Sequence, residues 1–497
     1  MQPHRGTIEV PADDLAAQFS ALVAQGYRLA LVAGHDDDNQ IRIVYLLVLP
    51  GADIRVELVV RADHTHPEIP SLSGLSFPAG RFERELADLF GVTPTAHPLL
   101  RRLVHHQHWP DHWHPLRHDV GPTPAIDETR DPFPFVEVQG PGVYEIPVGP
   151  VHAGIIEPGH FRFSVVGETI ITMKARLWFV HKGIEKLFEG RHHSTGIELA
   201  ERISGDTAVG HNLAYCLAVE DALDVTVPPT GQYVRALLLE LERLYNHAAD
   251  IGALANDVGY SILHAHAFRI REQLLRLNRR VTGHRLLRGG VVPGGAHLHD
   301  LPEPAELTAI GADFAEIADL ALANATVIDR FTGTSTLTTQ AAHELGALGP
   351  VARASGIDLD ARRDHPFIDL TDALRVVIHH TGDVHARFCI RRDEFAASIE
   401  LIGWLVEQLR GRHGEPAIAA IPTPTRATSG VGMVEGWRGT ITHRIEVAPN
   451  GTLTRVKIVD PSFFNWPALP VALADTIVPD FPLTNKSFNL SYAGNDL

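Results

Sequence analysis

A long amphipathic pattern in the middle of the chain sets limits on its fold. Apolar or small side chains recur there at intervals of three and four residues, at Val234, Leu237, Leu238, Leu241, Leu244, Tyr245 and Ala248. Because this spacing places them on one face of a helix, the pattern predicts a helix over residues 231–255. Helical patterns over residues 178–189, 211–223, 303–333 and 369–411 indicate a mostly helical domain around it.

The first 120 residues follow a different pattern and indicate a separate small domain. Residues 13–25 have helical spacing, whereas three later segments are rich in β-branched side chains and lie between polar or Pro-Gly turns. These segments, residues 27–33, 41–49 and 54–61, are expected to form an antiparallel meander. The fold class expected is therefore α+β, with a small α/β domain over residues 1–120, a linker rich in Pro and Gly over residues 121–142, and a helical domain over residues 143–497.

Peripheral β-hairpins are expected in the helical domain. The string EPGHFRFSVVGETI (157–170) predicts two short strands that turn at Val166-Gly167-Glu168. Residues 439–447 and 453–459 predict a second hairpin across Asn450-Gly451, a sequence typical of a type I′ turn. Residues 422–428 and 430–439 are interpreted as a turn-rich segment.

Composition excludes several classes of function. The net charge of -17 argues against nucleic acid as a partner, because such binding needs clustered Lys and Arg. Only Cys216 and Cys389 occur, so this chain cannot build a Cys-rich metal or iron–sulfur site by itself. No uninterrupted apolar stretch is long enough to cross a membrane, and no Gly-rich phosphate loop supports NAD binding.

A histidine-rich run raises the question of a metal site near the end of the first domain. Seven histidines lie between residues 97 and 118, most of them in the string HHQHWPDHWHPLRHD. The run lacks a repeated ligand spacing and contains two Trp and two Pro, so the favoured interpretation is a segment that packs on the surface of a neighbouring domain or partner. A metal site is the less favoured alternative.

Several ordered strings resemble one group of redox proteins. FERELADLFGV (82–92), HPLLRRL (97–103) and HPLRHD (114–119) resemble the small hydrophilic 30-kDa subunit of respiratory complex I. EPGHFR (157–162), HKGIEKLFE (181–189), ERISGDTAVGH (201–211) and SFNLSYAGND (487–496) resemble the large subunit of group 4 membrane-bound [NiFe]-hydrogenases, which is homologous to the 49-kDa subunit that forms the quinone pocket of complex I. The resemblance implies a fusion of the two subunit types.

The resemblance also indicates what the central site has lost. In such hydrogenases four cysteines hold a Ni–Fe centre, and the matching positions here are Ser204, Thr207, Ser491 and Gly494. A hydroxyl is a hard, weak donor and glycine has no side chain, so no Ni–Fe centre and no other metal is expected. The resemblance further leads us to expect no C-terminal extension of the kind that such hydrogenases cleave after nickel insertion, in agreement with a site without nickel.

Other site residues follow from the same resemblance. Glu185 matches the carboxylate that hydrogenases place beside the metal for proton transfer, and burial is expected to raise its pKa. Asp206, His211 and Asp257 are further candidates for proton transfer or for the pocket wall, and His152 and His160 are candidates for lining the pocket. The alternative for Glu185 is an ordinary charge on a helix surface.

Complex I supplies a second comparison for the same pocket. Its two recognised quinone contacts correspond here to Pro158 and Gly205, which cannot make them. A quinone nevertheless remains an open candidate, because complex I binds its quinone in the pocket that corresponds to the metal site of the hydrogenases.

The resulting expectation is an oxidoreductase subunit of a membrane-bound complex of the formate-hydrogenlyase type, with electron transfer coupled to proton movement. Its expected partners are an iron–sulfur subunit similar to the 20-kDa subunit of complex I, which carries the cluster, and antiporter-like and other membrane-arm subunits. The chain would lie in the cytoplasm, on the inner face of the cell membrane, and bind no cofactor itself. Two alternatives stay open: a quinone-reducing subunit like that of NADH dehydrogenase, and a noncatalytic scaffold of the same complex.

Overall fold

The structure is a computed structural model that describes residues 4–126, 133–153 and 156–497. Residues 127–132 of the predicted linker therefore lie outside the described residues. The N-terminal elements are β1 (His4–Glu9), a short 3-10 helix (Ala12–Asp14), α1 (Leu15–Ala24), β2 (Arg28–Asp36), β3 (Gln40–Leu49), β4 (Ile54–Asp63), β5 (Glu68–Pro70), α2 (Phe77–Phe90) and β6 (Thr93–Thr95).

The N-terminal sheet has the strand order β1-β4-β3-β2. The β2-β3 and β3-β4 pairs are antiparallel, which confirms the predicted meander. The parallel edge strand β1 was not predicted, because its sequence HRGTIE has little apolar alternation. Helix α2 packs against β2 and ends at Gly91, whose φ of 72° favours glycine.

The histidine-rich run packs along this domain. Asp88 Oδ2 accepts the backbone N–H groups of Leu103, Val104 and His105, which fixes the start of the run against α2. The His114 ring contacts the carbonyl oxygen of Asp88 through Nδ1, at 2.9 Å. Contacts with α2 thus account for the position of this segment.

The next part of the chain contains a three-stranded antiparallel sheet and short helices. These elements are β7 (Val143–Val148), β8 (His160–Val166), β9 (Thr169–Arg176), α3 (Ile184–Phe188), a 3-10 helix (His193–Thr195) and α4 (Ile197–Ala200). The predicted β8-β9 hairpin is confirmed. The helix predicted over residues 178–189 is reduced to α3, because Trp178 and Gly183 have φ values of 68° and 64°, which a right-handed helix does not allow.

Helices of very different length then form the body of the molecule. They are α5 (Ala208–Leu223), α6 (Pro229–Asp257), α7 (Ser261–Thr282), α8 (Pro304–Ala323), α9 (Ala325–Phe331), α10 (Thr339–Glu344), α11 (Gly349–Ala354), α12 (Ala361–Asp364) and α13 (Val384–Arg410), with the short strands β10 (Val291–Val292) and β11 (Gly295–Ala296) after α7. The predicted central helix is confirmed as α6. Helix α5 begins three residues earlier than predicted. Helix α13 begins at Val384, directly after its cap Asp383, so residues 369–383 of the helix predicted over residues 369–411 are not helical.

The C-terminal part adds a second antiparallel sheet. Its elements are β12 (Thr428–Gly436), β13 (Gly439–Val447), β14 (Leu453–Val459), α14 (Pro461–Asn465), α15 (Ala468–Leu473), a 3-10 helix (Val478–Asp480), α16 (Phe481–Phe488) and α17 (Tyr492–Asp496). The predicted β13-β14 hairpin is confirmed, but its turn is not type I′. The Gly451 N–H bonds to the Ala448 carbonyl oxygen, and Asn450, unlike Gly451, does not have positive φ.

The interpretation of residues 422–439 as turns is wrong for β12. The glycines of this strand allow helix α5 to approach its backbone. A Cβ atom on Gly432 would lie 1.9 Å from the carbonyl oxygen of Ala214, and one on Gly430 would lie 2.0 Å from that of Ala218. Glycine is needed here for close packing of a helix on a strand rather than for a turn.

The sequence regions interpreted as two domains share a continuous interface. One apolar core cluster contains residues of β2, β3 and α2 together with residues of β8, α15 and α17. Arg444 of β13 forms an ion pair with Glu57 of β4 at 2.9 Å, and Lys457 of β14 forms one with Glu85 of α2 at 2.7 Å. None of the helices among the described residues is both long enough and apolar enough to cross a bilayer.

Candidate functional site

The four positions that the resemblance assigns to thiolates lie together between the start of α5 and the short helix α17. Ser204 Oγ and Ser491 Oγ are 2.9 Å apart, and Ser491 Oγ accepts the N–H of Gly494 at 2.9 Å. Ser204 and Thr207 each donate a hydroxyl hydrogen bond of 3.0 Å to Asp206 Oδ1. The three hydroxyl residues are buried, and Ser204, Thr207 and Ser491 are called the hydroxyl cluster below.

Asp206 connects the hydroxyl cluster to the surface. Its carboxylate accepts two hydrogen bonds from Arg438, of 2.6 and 2.8 Å, and 40% of its side chain is exposed. Partial desolvation favours a higher pKa for Asp206, but the charge and hydrogen bonds of Arg438, with those of Thr207 and Ser204, outweigh it and lower the pKa to about 2. Asp206 is therefore a fixed anion at neutral pH.

A buried polar chain lies beneath the hydroxyl cluster. Asp460 Oδ2 is 3.0 Å from His211 Nε2, and His211 Nδ1 is 3.2 Å from His443 Nε2. The other Asp460 oxygen accepts the N–H of Ser462, whose hydroxyl accepts the N–H of Ser491. Burial, and then repulsion by His211, lower the pKa of His443 well below its usual value, so its imidazole is neutral.

The residues at this site do not fit a Ni–Fe centre. Such a centre needs soft thiolates, whereas these positions offer three hydroxyl groups and one glycine. The space that a side chain at position 494 would need is filled, because a Cβ atom on Gly494 would lie 2.5 Å from the carboxylate of Asp460. Hydrogen bonds among Ser204, Ser491 and Asp206 occupy the hydroxyl groups.

Glu242 is a second buried carboxyl beside this site, and sequence reasoning missed it. It lies on α6 and its two oxygens accept the N–H groups of Val209 and Gly210 at the start of α5, at 2.7 and 3.0 Å. Burial raises its pKa to about 8, despite those hydrogen bonds, and the nearby Asp206 charge adds to the rise. Glu242 is thus able to hold a proton at neutral pH.

Glu185 lies apart from the hydroxyl cluster, at the interface between α3, β14 and α2. It is 2.8 Å from Arg455 and 3.2 Å from Lys457, and it accepts the N–H of Ile458. Burial acts to raise its pKa, but Arg455 and Lys457 reverse the effect and the pKa is lowered. The expected rise is therefore wrong, and the role of Glu185 in proton transfer stays a prediction.

Glu185 also lines a cavity of about 340 Å³ between α2, the histidine-rich run and the residues around α3 and α17. The side chains of Trp109, Trp113 and Trp178 form much of its wall. Asp496 also lines the cavity, and burial raises the pKa of this carboxyl to about 6. The cavity combines aromatic walls with two carboxyl groups whose pKa values are shifted in opposite directions.

The remaining predicted residues lie around the site without contacting the hydroxyl cluster directly. Asp257 ends α6, and burial raises its pKa although Lys486 acts against the rise. His152 Nε2 contacts the carbonyl oxygen of Gly159, and His160 packs against Phe135 with ring centres 5.2 Å apart. Of the candidates for proton transfer, only Asp206 and His211 belong to the network of the cluster.

Three family models match successive parts of the chain. The model of the 30-kDa subunit of respiratory-chain NADH dehydrogenase matches residues 8–125, that of nickel-dependent hydrogenase matches residues 182–253, and that of the 49-kDa subunit of NADH dehydrogenase matches residues 257–429. Their order along the chain is the order that a fused protein of this class would have.

The full-length relatives agree. Formate hydrogenlyase subunit 5 of Escherichia coli is 30% identical over 490 residues, which cover 95% of this chain and 85% of that protein. The C/D subunit of NADH-quinone oxidoreductase of Phocaeicola vulgatus is 28% identical, over 87% of this chain and 88% of the relative. The chain therefore belongs to the family of group 4 hydrogenase large subunits, in which a 30-kDa-like part is fused to a 49-kDa-like part of the complex I type.

A solved structure shares the fold. One chain of the membrane-bound sulfane sulfur reductase, an archaeal respiratory membrane complex, superposes with a TM-score of 0.67 and 23% identity, covering 72% of this chain and 99% of that one. The expected α+β fold class is confirmed. This chain is homologous to oxidoreductase subunits, and its relatives are components of multisubunit complexes.

Proposed function

We propose that this chain is the pocket subunit of a membrane-bound oxidoreductase complex and that it works without a Ni–Fe centre. The observation that carries the proposal is the hydroxyl cluster: Ser204 and Ser491 bond to each other at the ligand positions, and Asp460 fills the space beside Gly494. Electrons arrive from an iron–sulfur cluster in a partner subunit and reduce an acceptor in the pocket. Antiporter-like and other membrane-arm subunits hold the chain on the cytoplasmic face of the membrane.

The side chains around the hydroxyl cluster suit an organic acceptor better than a metal. Asp206 and Arg438 form a paired anion and cation at its half-exposed edge, which can orient a polar molecule. The hydrogen bonds from Ser491 to Ser204 and from Ser204 to Asp206 form a short path for a proton. Glu242, which is able to hold a proton at neutral pH, lies next to this path. A quinone is one acceptor of the required kind.

The test uses the complex purified with its native partners and its clusters chemically reduced. Reoxidation of the clusters is followed optically after a short-chain quinone is added, and hydrogen release is measured in parallel without quinone. The proposal expects reoxidation by the organic acceptor and no hydrogen. The variants Asp206→Asn and Glu185→Gln should slow reoxidation, whereas Arg426→Gln, which changes an exposed side chain, should not.

The alternative is a noncatalytic scaffold, and the same assay separates it. A scaffold predicts that Asp206→Asn and Glu185→Gln leave the reoxidation rate unchanged while the complex stays assembled. Release of hydrogen at the rate of cluster oxidation would contradict both possibilities, because it requires a metal site that these side chains do not provide.

A further inference from the structure

A cavity with a strongly positive lining lies beside Trp178, which also lines the cavity around Glu185. Its volume is about 220 Å³, and it is enclosed by α2, residues 101–103, residues 133–136, the end of β9 and the start of α15. Its lining includes the cationic side chains of Arg81, Arg84, Arg101, Lys174 and Arg176. No Asp or Glu lines it among the residues that the structure describes, although the whole chain has a net charge of -17.

The arginines of this cavity bond mainly to uncharged groups. Arg176, which is 3% exposed, donates to the carbonyl oxygens of Leu103 and His105 at 2.5 and 2.7 Å. Arg84 donates to the carbonyl oxygen of Arg101 at 2.7 Å. Backbone carbonyls satisfy N–H groups but carry no net charge, and the nearby carboxylates of Asp88, Glu85 and Asp496 act on these arginines through space, without an ion pair in the described part of the chain. Lys174 differs from the arginines because it pairs with Glu145.

Three donor atoms are also left over. The Nε atoms of Arg81, Arg101 and Arg176 are buried and have no hydrogen-bond partner in the described part of the chain. A buried donor without a partner costs free energy. These three donors belong to arginines that line one cavity, and the guanidinium fork matches the geometry of phosphate oxygens.

Repulsion between the arginines is visible in their pKa values. Burial, and then repulsion by Arg84, lower the pKa of Arg81 to about 9. Burial, and then repulsion by Arg101, lower the pKa of Arg84 to about 10. A bound anion would reverse the repulsive part of these shifts.

The remaining walls of the cavity are aromatic. Phe133, Phe135, Trp178 and Trp466 line it, and the guanidinium of Arg176 lies 4.8 Å from the ring centre of Phe133. Arginine stacks on one of these rings, and the aromatic walls give a ligand apolar surface to pack against in addition to the cationic groups. The volume is smaller than that of pockets for drug-sized ligands, which typically start near ~300 Å³.

We propose that this cavity binds a small organic phosphate or a phosphate headgroup, with the oxyanion held by Arg81, Arg101 and Arg176 and an apolar or aromatic group packed against the rings. The ligand is either a free metabolite or the headgroup of an anionic lipid. The site does not depend on the reaction proposed above, because none of the arginines belongs to the hydroxyl cluster.

Calorimetric titration of the full chain tests the proposal. Phenyl phosphate is the probe, inorganic phosphate tests the anion alone, and phenol tests the ring alone. We expect saturable binding of phenyl phosphate that added salt weakens, weaker binding of phosphate and none of phenol. Arg81→Gln and Arg101→Gln should each weaken binding about tenfold or more, since each removes a charge-assisted hydrogen bond. Arg426→Gln makes the same change at an exposed site and should have no effect.

The outcomes separate the possible sources of the anion. Vesicles of phosphatidylglycerol that bind wild type more strongly than Arg101→Gln, with phosphatidylcholine vesicles binding neither, identify a lipid headgroup. Binding of phenyl phosphate without vesicle binding identifies a free ligand. Equal binding by wild type and both cavity variants overturns the proposal. So does the absence of saturable binding of phenyl phosphate by wild type.

Discussion

Replacing Gly494 by alanine tests whether the fourth ligand position is filled by protein. The added Cβ atom would lie 2.5 Å from the Asp460 carboxylate, about 1 Å closer than an ordinary van der Waals contact. Asp460 cannot easily move, because one oxygen bonds to His211 at 3.0 Å and the other to the N–H of Ser462 at 2.7 Å. Overpacking of this kind typically costs about 1–3 kcal/mol.

A second effect acts in the opposite direction. Gly494 lies in helix α17, where alanine is favoured over glycine by roughly 0.5–1 kcal/mol. Because the steric cost is larger, the net expectation for Gly494→Ala is a loss of about 1–2 kcal/mol in the free energy of unfolding. Gly403→Ala is the matched control: it lies inside α13 with nothing within 4 Å of its added Cβ, so it should be neutral or stabilising.

Urea denaturation of the two variants and wild type, followed by far-UV circular dichroism, gives the comparison. Asp460→Ala combined with Gly494→Ala completes a double-mutant cycle, in which the two changes should be less than additive because the clash needs both side chains. The reasoning is refuted if Gly494→Ala stabilises the protein as Gly403→Ala does, or if the two changes in the cycle are independent.

Two pH-dependent predictions follow from the carboxyl groups around the hydroxyl cluster. The folded pKa of Asp206, about 2, lies below the unfolded value of about 3.9, so its contribution to stability is present above pH 4 and is lost as the pH falls towards 2. Arg438→Gln should remove much of that contribution, and urea midpoints between pH 5 and 3 should therefore fall less steeply in the variant than in wild type. Glu242 shows the reverse sign: its folded pKa of about 8 lies above the unfolded value of about 4.3, so wild type loses stability as the pH rises from about 4.3 to about 8. Glu242→Gln should flatten the urea midpoints between pH 6 and 8, and profiles that stay parallel to wild type would show that Glu242 is already ionised.

The sequence predicted elements well where a local pattern specified them. Helix α6 and strands β2, β3 and β4 follow their apolar periodicity, and the β13-β14 hairpin follows its β-branched strands. Strand β12 was missed because its glycines serve a contact with α5 that is distant in sequence. The helix before Ile184 was overestimated because Trp178 has a positive φ, which is uncommon for a residue other than glycine and which its sequence does not reveal.

The residues of the candidate site also divide into some that the sequence predicted and some that it did not. The resemblance gave the positions of Ser204 and Ser491, and the structure brings them into contact across 287 positions of sequence. Arg438, Asp460 and Glu242, which hold the charges of this site, could not be predicted, because each reaches it from a different element through long-range packing. Glu242 is buried against the start of α5, and a contact of this kind between distant parts of the chain can be seen only in the folded protein.

The nickel content of the complex, purified with its native partners, tests the central claim most directly. Nickel and iron are measured by mass spectrometry in the same sample, so that iron reports the retained iron–sulfur partner, and a nickel-dependent hydrogenase prepared in parallel serves as the positive control. The hydroxyl cluster predicts iron without stoichiometric nickel, because Ser204, Thr207 and Ser491 offer no thiolate and Gly494 offers no ligand. One nickel per chain would contradict this account and would require a set of ligands that these positions do not supply.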